Sequence, residues 1–362
     1  MEKGGRPVSE AWPLYRVMGP ESNHADRVEP ETARNIYKDM VLLRTFDEKT
    51  INLQRQGRVG TFPPSLGQEA AEIGSAWALC PEDWMAPSYR DHGAIYVHGV
   101  PFQHVVLFAM GKGSSIDGKA RVLPTSIPIS SHLPHAVGLA MAAKTLNQER
   151  VAIAYFGDGG TSEGDFHEAL NFAGVFRAPV IFFCQNNGWA ISVPVSRQTA
   201  TPTLVQKAAA YGIEGVRVDG NDALACYQVV QEARERALSN QGPSLIEALT
   251  YRIGPHTTAD DPTRYRPAQE LERWRGEMDP ISRLREHLKA RGGLSDQEAL
   301  TIAEDAKALV NAAVEEALNA PAVAVETMFE HVYQVLPDFL IRQRQELQEV
   351  LAAFDKEGGQ RG

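Results

Sequence analysis

Two short polar clusters have the residue types needed to bind a metal ion together with an anion. Gly-Asp-Gly-Gly occupies residues 157–160, and Asn-Asn-Gly-Trp occupies residues 186–189. The glycines let backbone N–H groups approach a phosphate closely, but a carboxylate among them would repel a bare phosphate. A divalent cation removes that conflict, because magnesium takes a few oxygen ligands from protein and the rest from phosphate and water. The two clusters therefore predict a clamp for magnesium and a diphosphate.

The residues around the clusters predict the elements that bring them together. An apolar, strand-like run precedes each cluster, at residues 151–156 and 180–185, and apolar residues within 166–173 recur with the spacing of one helical face. A right-handed crossover between parallel strands brings both clusters to the same carboxyl edge of the sheet, where open α/β sheets bind ligands. We expect the intervening helix to begin near residues 161–162 and to direct its positive N-terminal end at the anion.

Two commoner phosphate-binding motifs are absent. A dinucleotide-binding fingerprint needs a third glycine at the position of Ser162, and a P-loop needs serine or threonine at the position of Gly113, after Gly111-Lys112. The alternative interpretation of Gly-Asp-Gly alone is a tight turn from strand to helix with an aspartate at the helix start. The second polar cluster, at the end of the next strand, favours the metal and diphosphate interpretation.

Composition excludes several classes of partner. The formal net charge of −10 argues against binding nucleic acid through a basic surface. Cys80, Cys184 and Cys226 lie far apart in the sequence without metal-binding spacing, which predicts reduced thiols in a cytoplasmic protein. We find no apolar run long enough to span a bilayer and no signal-peptide pattern, so we expect no membrane partner.

The chain is expected to have an α/β fold, with a parallel sheet covered by helices on both faces. Residues 1–29 are polar and rich in glycine, proline and glutamate, which predicts an N-terminal arm. Residues 30–270 contain the strand and helix patterns and the polar clusters, and form the predicted binding domain. Residues 271–362 are strongly charged with helical periodicity, which predicts a helical C-terminal region.

Five ordered stretches identify a family that the chain resembles. They are Ser-Tyr-Arg-Asp-His-Gly at residues 88–93, Gly-Gly-Thr-Ser-Glu-Gly-Asp-Phe at 159–166, Gln-Asn-Asn-Gly-Trp-Ala-Ile-Ser at 185–192, Val-Asp-Gly-Asn-Asp at 218–222, and the segment from Tyr251 to Arg266. Together they resemble the α subunit of the decarboxylating component of 2-oxo acid dehydrogenase complexes, whose Gly-Asp-Gly and Asn-Asn pair is the thiamine diphosphate signature. The resemblance implies the thiamine diphosphate-binding fold.

The resemblance implies a cofactor and partner subunits. Thiamine diphosphate and Mg2+ lie between an α and a β subunit, in an assembly of two α with two β, and the β subunit supplies the glutamate that activates the cofactor. The protein ligands of Mg2+ are then the Asp158 carboxylate, the Asn187 side chain and the Trp189 backbone carbonyl. The remaining partners are a small-molecule 2-oxo acid and the lipoyl domain of a dihydrolipoyl acyltransferase.

The resemblance also implies which residues contact the cofactor and take part in catalysis. The cofactor-binding residues are Tyr89, Arg90, Ile127, Ile129, Asp158, Gly159, Gly160, Asn187 and His256. His256 is the implied catalytic residue and handles a proton during acyl transfer to lipoamide, a role that suits the near-neutral pKa of histidine. Asp260, Tyr265 and Arg266 resemble the network that orders the loop of this histidine. Ser131-His132 replaces a Thr-Gln pair that helps bind potassium in some relatives, so that site is not expected here.

The implied activity leaves the substrate open. The chain is expected to decarboxylate pyruvate or a branched-chain 2-oxo acid such as 2-oxoisovalerate, and to transfer the acyl group to a lipoyl disulfide, as an oxidoreductase. The α subunit of acetoin dehydrogenase has the same clamp and is an alternative. A catalytically silent subunit that only binds cofactor is an alternative of another class, although the presence of Asp158, Asn187 and His256 speaks against it.

Overall fold

A sheet of six parallel strands forms the centre of the fold. In the computed structural model, which describes residues 12–113, 116 and 118–356, the strands are β1 (Leu14–Tyr15), β2 (Trp84–Ala86), β3 (Ala152–Gly157), β4 (Val180–Asn186), β5 (Trp189–Ala190), β6 (Val193–Pro194), β7 (Glu214–Asp219) and β8 (Ser244–Leu249). The parallel sheet has the order β1-β7-β8-β4-β3-β2, while β5 pairs antiparallel with β6. The predicted α/β class with a parallel sheet is confirmed.

Helices cover both faces of this sheet, as predicted. The helices of the described residues are α1 (Pro30–Arg55), α2 (Glu69–Trp77), α3 (His92–Val97), α4 (Phe102–Ala109), α5 (Leu133–Thr145), α6 (Gly164–Phe176), α7 (Ala223–Leu238), α8 (Ala268–Arg275), α9 (Pro280–Ala290) and α10 (Asp296–Asn319), and, in the C-terminal segment, α11 (Thr327–Glu330) and α12 (Asp338–Lys356). Strand side chains alternate between faces, so Ile153 and Tyr155 of β3 pack with α1, α2 and α7, whereas Ala154 and Phe156 pack with α5 and α6.

The crossover from β3 to β4 follows the prediction except at the start of its helix. Gly157 of β3 pairs in register with Gln185 of β4, so the two strands end at the same edge. The chain then makes a 3-10 turn over Asp158–Ser162, and α6 begins only at Gly164. The expected helix start at residues 161–162 is therefore too early. The reason is that Glu163 has an extended backbone, with φ −86° and ψ 149°, which separates the turn from the helix.

The chain divides into two compact units, Met1–Leu318 and Asn319–Gly362. In the first unit, β1 adds an edge strand beside β7. The predicted domain boundaries stay predictions, and residues 1–11 and 357–362 of the predicted terminal regions lie outside the described residues. Within the described residues, no helix combines the length and apolar character needed to cross a membrane. All three cysteines are free.

Candidate active site at the carboxyl edge of the sheet

A cavity of about 370 Å3 lies at the carboxyl ends of β3 and β4. The residues that the sequence analysis assigned to cofactor, metal and catalysis all line it: Tyr89, Arg90, Ile127, Ile129, Asp158, Gly159, Gly160, Asn187, Trp189 and His256. These residues come from five separate stretches of the chain, and the parallel register of β3 and β4 brings the two polar clusters together. Their individual roles stay predictions.

Asp158 is a buried carboxylate of the site, with 1% of its surface exposed. It opens the 3-10 turn after β3, and its Oδ2 accepts a hydrogen bond of 2.7 Å from Gln198 Nε2. Burial raises the pKa of Asp158, and the hydrogen bond from Gln198 works in the opposite direction. A buried carboxylate whose charged form is disfavoured by desolvation is stabilised by a nearby cation, so the residue fits a divalent metal ion.

The turn after β4 supplies two further oxygen atoms. Asn187 Oδ1 accepts a hydrogen bond of 3.2 Å from the Trp189 backbone N–H, and the Trp189 carbonyl accepts one of 3.1 Å from Arg252 Nη1. Amide and carbonyl oxygens each have a second lone pair, so both fit a metal ion as well. No group of three or more His, Cys, Asp and Glu side chains with metal-binding geometry occurs in the part of the chain that the structure describes. The predicted set contains one carboxylate only, which suits a metal that takes its other ligands from phosphate and water.

Two glycines are required for close packing in the cavity wall. A Cβ atom added to Gly159 would lie 2.8 Å from Ala190 Cβ, and one added to Gly160 would lie 2.7 Å from Ser130 Oγ. Ser130 itself has a left-handed backbone, with φ 62°, and its hydroxyl donates to the Gly160 carbonyl over 2.9 Å. A larger residue at either glycine would have to displace a neighbour or move the turn that contains Asp158.

Arg90 is a buried cation that connects three parts of the cavity wall. Its Nη1 donates to the Pro64 carbonyl over 2.6 Å, and its Nη2 donates to the His256 carbonyl over 2.9 Å and to His256 Nδ1 over 3.2 Å. The guanidinium also lies over the Tyr89 ring, with 5.6 Å between Cζ and the ring centroid. A planar cation in this position suits recognition of phosphate oxygens.

His256 lies in the loop after β8 and is held by its backbone as well as by its ring. The His256 N–H donates to Asp260 Oδ2 over 2.8 Å, and the Tyr265 hydroxyl donates to the same oxygen over 2.5 Å. Burial, with the nearby guanidinium groups of Arg90 and Arg252, lowers the pKa of His256 to about 4. The imidazole is therefore neutral at pH 7.

Two arginines of this loop hold backbone carbonyl groups, Arg266 within the loop and Arg252 in the segment after β4, and only Arg266 was expected. Arg266, which resembled the loop-ordering network, donates to the carbonyls of Arg252, Ile253 and Gly254. The sequence analysis assigned no role to Arg252, although this residue lies in the Tyr251–Arg266 segment that resembles the family and follows the buried strand β8. It donates to the carbonyls of Trp189 (3.1 Å) and Ile191 (2.5 Å) and to the Tyr265 hydroxyl (3.0 Å).

One part of the cavity wall consists of apolar side chains that are exposed to solvent. Ile127 and Ile129 line it while remaining 55% and 40% exposed, and Ile191 is 56% exposed on the same cavity. Large apolar side chains grouped at a cavity are available to contact a bound ring or another protein chain. This is the arrangement expected where a cofactor lies against an apolar surface.

Comparisons with known proteins agree with this geometry. The family model of the dehydrogenase E1 component matches residues 37–326. The chain is 47% identical over 335 residues to the 3-methyl-2-oxobutanoate dehydrogenase subunit alpha of Mycobacterium tuberculosis, covering 92% of this chain and 90% of that protein. It is 45% identical over 307 residues to the pyruvate dehydrogenase E1 component subunit alpha of Staphylococcus aureus, covering 84% of this chain and 83% of that protein. The chain therefore belongs to the dehydrogenase E1 component family.

Proposed function

We propose that this chain is the α subunit of a thiamine diphosphate-dependent 2-oxo acid dehydrogenase that decarboxylates pyruvate or a branched-chain 2-oxo acid. In this proposal it assembles as two α with two β subunits and transfers the acyl group to the lipoyl domain of an acyltransferase. The observation that carries the proposal is the meeting of Asp158, Asn187 and Trp189 with Arg90 and His256 in one cavity of an E1 family member. The free thiols support a reducing compartment, the cytoplasm.

Different residues of the cavity would bind different parts of the cofactor. Asp158 Oδ, Asn187 Oδ1 and the Trp189 carbonyl would hold Mg2+, while Tyr89 and Arg90 would bind the diphosphate with the backbone of residues 159–160. Thiamine diphosphate, when bound, supplies an electron sink that makes loss of carbon dioxide from a 2-oxo acid possible. Ile127, Ile129 and Ile191 would contact the apolar parts of the cofactor.

The tautomer of His256 follows from its neighbour. Arginine only donates hydrogen bonds, so His256 Nδ1 accepts from Arg90 Nη2, and the ring proton of the neutral imidazole is on Nε2. His256 can therefore donate a hydrogen bond from Nε2 while Arg90 holds the ring in place. A hydrogen bond from Nε2 to an atom that gains negative charge is the contribution to acyl transfer that this arrangement supports.

The names of the relatives support a partner subunit for this chain, and they leave two substrate classes open, a branched-chain 2-oxo acid and pyruvate. Both are named as alpha subunits, one of a 3-methyl-2-oxobutanoate dehydrogenase and one of a pyruvate dehydrogenase, and their identities to this chain are 47% and 45%. The exposed isoleucines at the cavity are consistent with a second chain that completes the site. An identity difference this small does not separate the two substrates.

The test is to express the chain with a β subunit of the same family, to measure carbon dioxide release from pyruvate and 2-oxoisovalerate, and to measure reduction of an artificial electron acceptor with these two acids and with acetoin. We expect activity with one of the two 2-oxo acids, dependent on thiamine diphosphate and Mg2+, and reductive acylation of a lipoyl domain. The chain purified alone should be inactive. Activity on acetoin alone, or full turnover without a β subunit, would contradict the proposal.

A further inference from the structure

The side chain of Gln68 is buried beside the predicted metal ligands, and only its oxygen has a hydrogen-bond partner within the described residues. Gln68 lines the same cavity as Asp158 and Asn187, with 1% of its surface exposed. Its Oε1 accepts a hydrogen bond of 2.6 Å from Asn187 Nδ2. Its Nε2 is buried without a hydrogen-bond partner within the described residues. A buried amide nitrogen with two unused N–H groups is costly unless a ligand provides an acceptor.

The hydrogen bonds around Asn187 fix which way both amides face. The Trp189 backbone N–H is a donor only, so the atom of Asn187 that faces it, 3.2 Å away, is the oxygen Oδ1. Asn187 Nδ2 is then the atom that faces Gln68, and Gln68 must accept through Oε1. The side-chain nitrogen of Gln68 is consequently without an acceptor within the described residues. The amide group of Asn187 is fixed by hydrogen bonds at both its oxygen and its nitrogen.

A role of Gln68 at the start of a helix does not explain its side chain. Gln68 precedes α2, and its backbone takes part in the local turn, with its N–H bonded to the Ser65 carbonyl over 2.8 Å and its carbonyl to the Glu72 N–H over 3.1 Å. The side chain makes no capping hydrogen bond to α2. Its contact is with Asn187 across the cavity wall instead.

We propose that Gln68 is a further residue of the metal and diphosphate site. Its Oε1 positions Asn187 so that the amide oxygen Oδ1 is available to the metal ion, and its Nε2 donates to an oxygen of the metal-bound diphosphate. The inference rests on the proposed function, because it assigns to Gln68 a place in the binding of that same cofactor. Gln68 is thus a positioning residue for Asn187 and a direct donor to the anion.

Three variants of the complex with the β subunit test this inference. Gln68→Met removes both interactions, Gln68→Glu keeps an acceptor for Asn187 but replaces the donor with a negative charge, and Gln228→Met is the control. Gln228 is also a buried glutamine, but it bonds to Tyr15 and to the Ala25 carbonyl and does not line the cavity. For each variant, calorimetry gives the thiamine diphosphate affinity and the Mg2+ concentration for half-maximal binding, and a melting curve gives the stability without cofactor.

Gln68→Met should weaken cofactor binding and raise the Mg2+ requirement, each by about 10- to 100-fold, as for other residues that hold a metal ligand. Gln68→Glu should lose about tenfold in cofactor affinity while its Mg2+ requirement stays near that of the wild type. Gln228→Met should leave both values unchanged. If Gln68→Met matches Gln228→Met, the inference is wrong while the proposed function stands. If the wild-type complex itself binds no magnesium and cofactor, the proposed function fails instead.

Discussion

The two polar clusters at the strand ends and the loop after β8 reach the same cavity by different means. Residues 157–160 and 186–189 follow directly from β3 and β4, whose parallel register sets their separation. Residues 250–266 have little regular structure, with one short 3-10 turn, and are held by side chains, since Arg266 bonds to backbone carbonyls and Arg252 bonds to the Tyr265 hydroxyl. The metal ligands thus depend on the sheet, and the position of His256 depends on a hydrogen-bond network.

This difference in how the two regions are positioned predicts how each responds to a substitution. The strand-end clusters are positioned by many backbone hydrogen bonds, so replacing a side chain there should remove a ligand without moving its neighbours. The loop depends on a few arginines, so one substitution should release a whole segment. Arg252 joins the two regions, because it donates to the carbonyls of Trp189 and Ile191 and to the Tyr265 hydroxyl. Four predictions separate these behaviours.

The largest effect is expected from Asp158→Asn, which removes a charged ligand from the strand-end clusters. Magnesium-dependent binding of thiamine diphosphate should fall by more than about 100-fold, since even residues behind a ligand typically change affinity 10- to 100-fold. The melting temperature without cofactor should be unchanged or higher, because burial raises the pKa of Asp158 and its charged form therefore destabilises the folded chain. Calorimetry and melting curves check both statements, and tight binding by the variant would refute the ligand assignment.

Arg252→Met should have a strong local effect on the loop after β8 and on the Trp189–Ile191 segment that Arg252 joins to it. The carbonyls of Trp189 and Ile191 and the Tyr265 hydroxyl lose a donor, which should destabilise the loop and the Trp189–Ile191 segment locally by about 1–3 kcal/mol. Hydrogen exchange should speed up in residues 250–266 and change little in β3 and β4. Arg197→Met, on the exposed surface, is the matched control. Uniformly faster exchange throughout the sheet would show that the two regions are not held independently.

His256→Ala should separate two steps of the proposed reaction. Acyl transfer to a lipoyl domain should fall by about 100-fold, the usual size of the loss when a hydrogen-bond donor to a developing charge is removed, because the Nε2–H donor is lost. Decarboxylation measured with an artificial electron acceptor should fall much less. The ratio of the two rates is the quantity to measure. Equal losses in both assays would show that His256 has no specific role in acyl transfer.

The smallest predicted effect is on the pH dependence of stability. The pKa of His256 is lowered from 6.5 to about 4 in the folded chain, so between these values the unfolded chain takes up a proton that the folded chain does not. The residue therefore has no effect above about pH 6.5 and destabilises the fold progressively as the pH falls towards 4. Melting curves of wild type and His256→Gln should diverge over this interval, with the variant losing less stability. Parallel curves would indicate that the imidazole titrates normally.

Local patterns were enough to predict the strand-end clusters. The strands, the crossover helix and the glycines around Asp158 are recognisable from neighbouring residues, and the handedness of crossovers then places Asn187 on the same edge. The same patterns missed the late start of α6, which depends on the backbone of the single residue Glu163. They also missed Gln68 and Arg252, whose partners lie far away in the sequence.

The chain's residue order by itself determined the α/β architecture, the position of the two polar clusters at one sheet edge, and the family. These features follow from periodicity and short motifs, which are properties of neighbouring residues. Only the tertiary structure decided that Gln68 turns the amide of Asn187, that Arg252 holds the carbonyl of Trp189, and that burial keeps His256 neutral. These features arise from packing between distant segments, where desolvation and unpaired hydrogen-bonding groups set the energies.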